Sequence, residues 1–507
     1  MILTRGVCPY VKDIQLGFSR IGRRAVPCFE ISRLSTLDFI VLAGYFVLLQ
    51  LVGFYFGRKQ KNAADYFSGN HTLPWWVVSA SIVAAETSSL TFISIPGLAY
   101  VGNLTFMQLA FGYIIGRIIV AFVFLPAYFK GNIETVYAFL EHRFSLNMRR
   151  LAAVLFQVTR LLGTGVRLYA TALPLSLISG WSITTSILVF TLLTLPYTSF
   201  GGIRAAMWVE FIQTGVYLGG AFAAVIVLQL SGVELGSAGA EKFRFLASGF
   251  ENGFTSFLTQ PFHLVAGIIG GALLAISSHG TDQLIVQKSL ACRNLKDAQK
   301  AMITSGILVD LQFLLFLIIG VWLFAFFKGA AFATPDAVFP TFIVKHLPAG
   351  LIGLVLAAIF ATGQSTLSAT LNSLASSTML DLFPNFAKDD ERKRLRLSRT
   401  LTVVWAAAIM LISLLFTDQK NPVVVIALKL ASILAGGTVG LYILGFMHVQ
   451  QKSAFVGFTA SATGMALIAV FSPLAWTWYV PAGLLICLAV AGVVGVVGMI
   501  TPKRATD

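Results

Sequence analysis

Apolar stretches of about 20 residues or more recur from residue 37 to residue 500, and no other feature of the chain limits its fold so tightly. A helix rising 1.5 Å per residue needs about 20 apolar residues to cross a hydrocarbon layer of about 30 Å. Thirteen such stretches can be marked, near 37–57, 75–100, 104–129, 150–179, 182–200, 206–231, 258–280, 301–327, 349–381, 398–416, 422–447, 454–472 and 478–499. Composition agrees: 11% of the 507 residues are charged, against about a quarter in soluble domains. The pattern predicts an all-α integral membrane protein with about 13 transmembrane helices, and it excludes disordered, collagenous and disulfide-scaffold chains. Cys8, Cys28, Cys292 and Cys487 have no metal or redox spacing.

A formal charge of +15 suggests nucleic acid at first sight, but in a chain this apolar it reads as membrane topology. One alternating set of connections carries 21 Lys and Arg, among them Arg58, Lys130, Arg143, Arg149, Arg204, Lys288, Arg392 and Lys452. The opposite set carries five: Lys242, Arg244, Lys328, Lys345 and Lys420. This bias puts the first set in the cytoplasm, the start of the first helix outside and the C-terminus inside. The expected setting is a plasma (inner) membrane, crossed many times, with the lipid bilayer as partner and neither nucleic acid nor an obligate protein partner implied. Residues 1–34 carry six basic groups, without an apolar core or a small-residue cleavage site. They read as an N-terminal extension outside the fold, leaving 35–507 as the membrane domain.

Charged groups inside spans are costly and need a reason. They are Glu86, Arg117, Arg160, Arg167, Glu210, Asp310 and Lys429. Neutral polar groups cluster in two places, Ala84-Ala85-Glu86-Thr87-Ser88-Ser89 and Thr362-Gly363-Gln364-Ser365-Thr366-Leu367-Ser368. A polar interruption at membrane depth is tolerated where backbone lines a cavity, and freed carbonyls with small hydroxyls are hard oxygen ligands for an alkali cation. Ser and Thr also let helices pack closely. Both readings stand on the residues alone.

At these clusters, and in loops between them, the chain resembles the sodium:solute symporter family of sodium/glucose, sodium/proline and sodium/sialic acid transporters. The resemblance runs through Asp65-Tyr66-Phe67-Ser68-Gly69 with Leu73-Pro74-Trp75-Trp76, then Thr135-Val136-Tyr137-Ala138-Phe139-Leu140-Glu141, then Gly201-Gly202 to Gln213. It continues through Gly280-Thr281-Asp282-Gln283 with Val286-Gln287-Lys288, and Ser365-Thr366-Leu367-Ser368 to Leu371-Asn372-Ser373. It implies a sodium-coupled secondary symporter, not an enzyme, that imports a small organic solute by alternating access. The implied fold is of leucine-transporter type, with two inverted five-helix repeats at about 75–231 and 258–447 whose opening helices are discontinuous. Gly267, Gly270 and Gly271 suit a break in the second opening helix, whereas a break in the first rests on the polar run 84–89.

The family's shared sodium site falls on the carbonyls of Ala84, Thr87 and Thr362 and the hydroxyls of Ser365 and Thr366, with Na+ as the coupling ion. Glu86 falls where sodium/proline transporters carry an Asp and sugar transporters an Asn, a place for a charge that neutralises a cation one turn away or takes a proton; its other reading is a buried ion pair with Lys429 or Arg117. Some members bind a second sodium at positions corresponding to Glu210, Ser365, Ser368 and Ala369. Ala369 has no hydroxyl and Glu210 is longer than Asp, so the resemblance favours one coupled sodium, with Glu210 paired to Arg167 or another base. Arg160 and Arg167, seven residues apart, share a helix face and suit a solute carboxylate. The other reading has Arg160 snorkelling to the cytoplasm and Arg167 paired with Glu86 or Glu210. Ser88, Thr91 and Gln108 align approximately with polar solute contacts of the sodium/sialic acid branch, and Phe262 is one candidate for an aromatic wall. A sodium-independent uniporter, or a proton-coupled transporter of a sugar or polyol, is the alternative on this scaffold. Six scattered histidines without ligand spacing argue against a metalloenzyme.

Overall fold

The computed structural model describes residues 34–500 except 59, 61, 180, 252, 333, 387–389 and 416–422. The N-terminal extension, but for Leu34, and the side chain of Lys429 therefore lie outside the described residues. The helices that matter here are α1 (Thr36–Gly57), α2 (Trp75–Glu86), α3 (Ser89–Val101), α4 (Met107–Lys130) and α5 (Leu146–Ser179). They continue as α6 (Ile183–Leu230), α7 (Ala266–Gly280), α8 (Leu295–Phe326), α9 (Leu351–Leu382), α10 (Glu391–Leu415), α11 (Val423–Phe446), α12 (Gln451–Phe471) and α13 (Tyr479–Ile500). A lone bridge between Leu73 and Cys292 is the extent of β-pairing among the described residues.

Nine of the described helices are long and apolar enough to cross a membrane, or ten if α2 and α3 form one bent span. Every expected stretch falls on a helix, though not one for one. The stretches 182–200 and 206–231 are the two arms of α6, which meet at a kink at Gly202. The stretch 75–100 is broken into α2 and α3, that at 258–280 is carried by the shorter apolar helix Ala266–Gly280, and that at 422–447 by α11.

The axis of the fold is α9, buried along nearly its whole length and packed against α1, α2, α5, α6 and α10. By contrast α1 leaves Leu37, Phe39, Ile40, Val47, Leu51 and Tyr55 exposed, as a helix apolar all round does against lipid. The two are clasped at one end. Ser35 and Asp38 form a capping box at the start of α1, and the Asp38 carboxylate also accepts the backbone N–H of Gly350 (2.8 Å) and Gly353 (2.7 Å) at the start of α9. Helix N-termini favour such a carboxylate because their first N–H groups have no partner within the helix.

The glycines of α7 do not break that helix. Gly267 and Gly271 meet Gly112 and Gly116 of α4 so closely that a Cβ on Gly112 would stand 2.5 Å from the Gly267 carbonyl. This is a small-residue seam that lets two backbones approach. The irregularity is of another kind: residues 260–263 are non-helical, and π-turns occupy Ala266–Gly270, which holds Gly267 and Gly270, and Ile276–Gly280.

Connections sort into two groups whose members bond to one another. In the basic group Ala63 N–H donates to Glu391 (3.1 Å), Gln287 to the Phe67 carbonyl (2.9 Å), and Arg149 to Asp381 (2.7 Å) and Glu141 (2.6 Å). In the other group Leu104 N–H donates to the Arg244 carbonyl (3.1 Å), Trp322 to that of Val233 (2.7 Å), and Lys242 to that of Gly102 (3.0 Å). The grouping keeps Arg149 apart from Lys242 and Arg244, as the two sets of Lys and Arg require, whereas Lys288, counted with the first set, is buried within the protein.

Gly202 supplies the kink of α6 with φ 53° and ψ −159°, a region open essentially to glycine. A Cβ there would also lie 2.7 Å from the Tyr66 carbonyl. Gly202→Ala is expected to cost about 1–3 kcal/mol, read as a lower melting temperature in detergent. Gly215→Ala, on the same helix with open space around it, should leave melting unchanged or raise it.

Candidate ion and solute site

The polar run 84–89 breaks its helix although it contains no glycine. Glu86 ends α2, Thr87 and Ser88 are extended (ψ 113° and 161°), and Ser88 restarts the chain as N-cap of α3, its hydroxyl accepting from Thr91 N–H at 3.2 Å. The two halves are bent by 66°. In a continuous helix the Ala84 carbonyl would take the N–H of residue 88. Here it accepts the Ser365 hydroxyl at 2.8 Å.

That contact brings the two polar clusters together. Ser365 also donates to the Thr362 carbonyl (3.0 Å), which takes the Thr366 hydroxyl as well (3.0 Å). Ala84, Thr362, Ser365 and Thr366 thus form one oxygen cluster between the end of α2 and the middle of α9, all buried. Thr87 turns its side chain the other way, to the Val83 carbonyl (2.9 Å) and Gln312 of α8 (3.1 Å).

Beside this cluster a small cavity is lined by Ser88, Ser89, Arg167, Thr171, Gly363 and Thr366, among others. Ser89 and Thr171 share a hydroxyl contact of 2.8 Å across it. Among the described residues no carboxylate pairs with Arg167. The acids that could have taken it are engaged: Glu86 holds Arg117 and His279, and Glu210 holds Lys288. Arg160 is paired with Asp282 and does not reach the cavity. The two arginines share a helix but not their surroundings.

Gln108 and Phe262 stand together elsewhere. Gln108 donates to the Phe262 carbonyl (3.2 Å) and accepts from Ala247 N–H (3.3 Å), while the Phe262 ring lies edge-on to Phe106 and Trp476. Thr91 meets Ser88 through their hydroxyls at 3.2 Å. Ser368 is buried with no hydrogen-bond partner for its hydroxyl among the described residues.

Glu210 is fully buried, and its basic partner is Lys288, which reaches in from the short helix Gln283–Leu290 and also meets the Ser81 hydroxyl at 2.7 Å. Of the bases open to Glu86, the structure seats Arg117. Sequence reasoning missed Thr171 and His279, and it placed Ser89 in the polar run without a contact of its own. Thr171 was within reach, because it lies four residues after Arg167 on the same face; His279 carried no such signal.

A helix broken at membrane depth, with a freed carbonyl facing hydroxyls on a buried neighbour, is the construction of a secondary transporter. Comparison with known proteins makes this specific. A sequence model of the Sodium:solute symporter family matches residues 66–460. The sodium/sialic acid symporter NanT of Aliivibrio fischeri is 30% identical over 448 residues, covering 85% of this chain and 87% of that protein. SiaT of Proteus mirabilis, also a sodium/sialic acid symporter, is 30% identical over 84% and 88%. A solved substrate-bound, outward-open Na+-coupled sialic acid symporter superposes with a TM-score of 0.82 at 27% identity, over 91% of this chain and 98% of that one. The chain belongs to the sodium:solute symporter family.

Lys288 and Glu210 are 4% and 0% exposed, so removing one partner strands the other. Lys288→Met is expected to cost about 3–5 kcal/mol. The double variant Lys288→Met with Glu210→Gln, which leaves no buried charge, should recover more than half of the loss of melting temperature.

Proposed function

We propose that the protein is a sodium-coupled symporter importing a small carboxylate-bearing solute by alternating access, with the basic connections and the C-terminus on the cytoplasmic face of a plasma (inner) membrane. The observation that carries the solute class is Arg167, an arginine without a carboxylate partner among the described residues, facing a cavity that shares Thr366 with the oxygen cluster. A guanidinium at membrane depth is costly until an anion meets it, and its planar fork matches a carboxylate. Similarity to sialic acid symporters makes sialic acid, itself a carboxylate, the first solute to test.

Sodium would sit among the carbonyls of Ala84, Thr87 and Thr362 and the hydroxyls of Ser365 and Thr366. The Ser365 hydrogen, which now points to a carbonyl, turns away so that its lone pair faces the cation. An ion held this way ties α2 to α9 at the break, and the solute, held by Arg167, ties α5 to the same place. Both ligands then favour one arrangement of the same helices, which is what coupling requires. Lys288 holding Glu210 supports one coupled sodium rather than two. Residues 75–231 and 258–447 are the two inverted repeats in this reading.

Uptake of labelled sialic acid into proteoliposomes tests the cation site. Ser365→Ala and Thr366→Ala should each raise the sodium needed for half-maximal uptake about tenfold, the worth of one ligand to a charged group, with protein level in the membrane unchanged. Unchanged sodium dependence in both rejects the site.

The same assay separates the arginines. Arg167→Gln should lower apparent solute affinity by about tenfold or more, whereas Arg160→Gln, which loses only its pair with Asp282, should retain it. Equal effects of the two variants would return Arg167 to a structural role.

A further inference from the structure

Asp310 of α8 is 6% exposed, and neither of its carboxylate oxygens has a hydrogen-bond partner among the described residues. A buried acid in that condition is rare, because each unmet oxygen forfeits solvation that nothing replaces. Arg117 of α4 lies against α8 one turn before Asp310, bonded to Ser305 and packed on Gly306, and holds Glu86 of the break beside it. Tyr113, one turn before Arg117 on α4, meets the ring of Phe313 of α8, and His279 of α7 is bonded to Glu86.

Arg117 is almost fully buried and divides its donors unequally. One terminal nitrogen goes to Glu86, the other to Ser305 at 2.7 Å, and Nε has no partner. A single guanidinium therefore stands among two carboxylates and serves one. With both acids ionised and His279 neutral, the cluster has one negative charge in excess. At membrane depth that excess is costly. A proton removes it without the shell of oxygen ligands that a metal cation needs.

We infer that Asp310 is a proton-binding site, protonated while Arg117 is paired with Glu86, and that it releases its proton when sodium binding at the neighbouring break draws Glu86 away and leaves Arg117 free to take Asp310. The balance is simple. The O–H bond of Asp310 breaks, the proton passes to the water that reaches Glu86, whose side chain is 21% exposed, and the charge Arg117 neutralises moves from Glu86 to Asp310. Sodium and a proton then exclude each other, although they occupy different residues. Only the link to sodium rests on the symporter reading; the proton site does not.

Two measurements on the purified full-length protein test this separately. In pH-difference infrared spectra the wild type should show a protonated-carboxyl C=O band that disappears in Asp310→Asn and persists, shifted in frequency, in Asp310→Glu. A wild type without the band, or a band unaltered in Asp310→Asn, overturns the proton site. In the second measurement sodium alone is the probe, titrated by intrinsic tryptophan fluorescence between pH 6 and 8. One proton competing with one cation raises half-saturating sodium by up to about tenfold per pH unit as pH falls. Asp310→Asn should flatten this to within about twofold across the range. A flat wild type, or full pH dependence surviving in Asp310→Asn, overturns the exchange. An infrared band that behaves as expected, together with no response to sodium at any pH, overturns the exchange and the sodium site but upholds the proton site.

Discussion

A helix that stops in the middle of a membrane must find partners for the backbone groups it frees, since lipid offers none. At residues 84–88 that requirement organises the surrounding structure. The Ala84 carbonyl is met by a hydroxyl of α9, Thr87 leans on Gln312 of α8, and Glu86 reaches Arg117 of α4 and His279 of α7. Four helices converge on one break because each supplies something the break lacks. A small cation would replace several of these contacts at once, which is why an interruption of this kind suits an ion that comes and goes.

Packing around the break depends on small residues rather than on large ones. Where α4 and α7 touch, Gly112, Gly116, Gly267 and Gly271 bring carbonyls and Cα atoms into direct contact. Between helices in lipid there is no hydrophobic drive, so close approach supplies the attraction. The burial of α9 follows the same logic: Thr362, Gly363, Ser365, Ser368 and Ala369 are small enough for neighbours to crowd it on every side.

Charge inside the bundle is largely paired. Arg160 meets Asp282, Lys288 meets Glu210, Arg149 meets Asp381 and Glu141, and Arg117 meets Glu86. Against that background Arg167 and Asp310 stand out, one a cation and the other an acid, each without an opposite charge bonded to it among the described residues. Groups that fold stability alone would have paired or removed are the ones a transport cycle can use, because their partners arrive from solution.

The sequence by itself determined the membrane class, the helical content and the two polar clusters, since these follow from hydropathy and from residues adjacent in the chain. It also located the break at 84–89, where polar side chains compete with the helix for backbone groups. Tertiary structure decided what distance along the chain conceals. Ser365 meets the Ala84 carbonyl across 281 positions, so the cluster exists only once α2 and α9 pack. Which acid each base would hold was equally hidden: Arg160 and Arg167 are alike in type and face, yet Asp282 lies within reach of one only. The α7 glycines show the same limit, because a glycine that could permit a break and a glycine that permits close contact are the same residue until the neighbouring helix is in place.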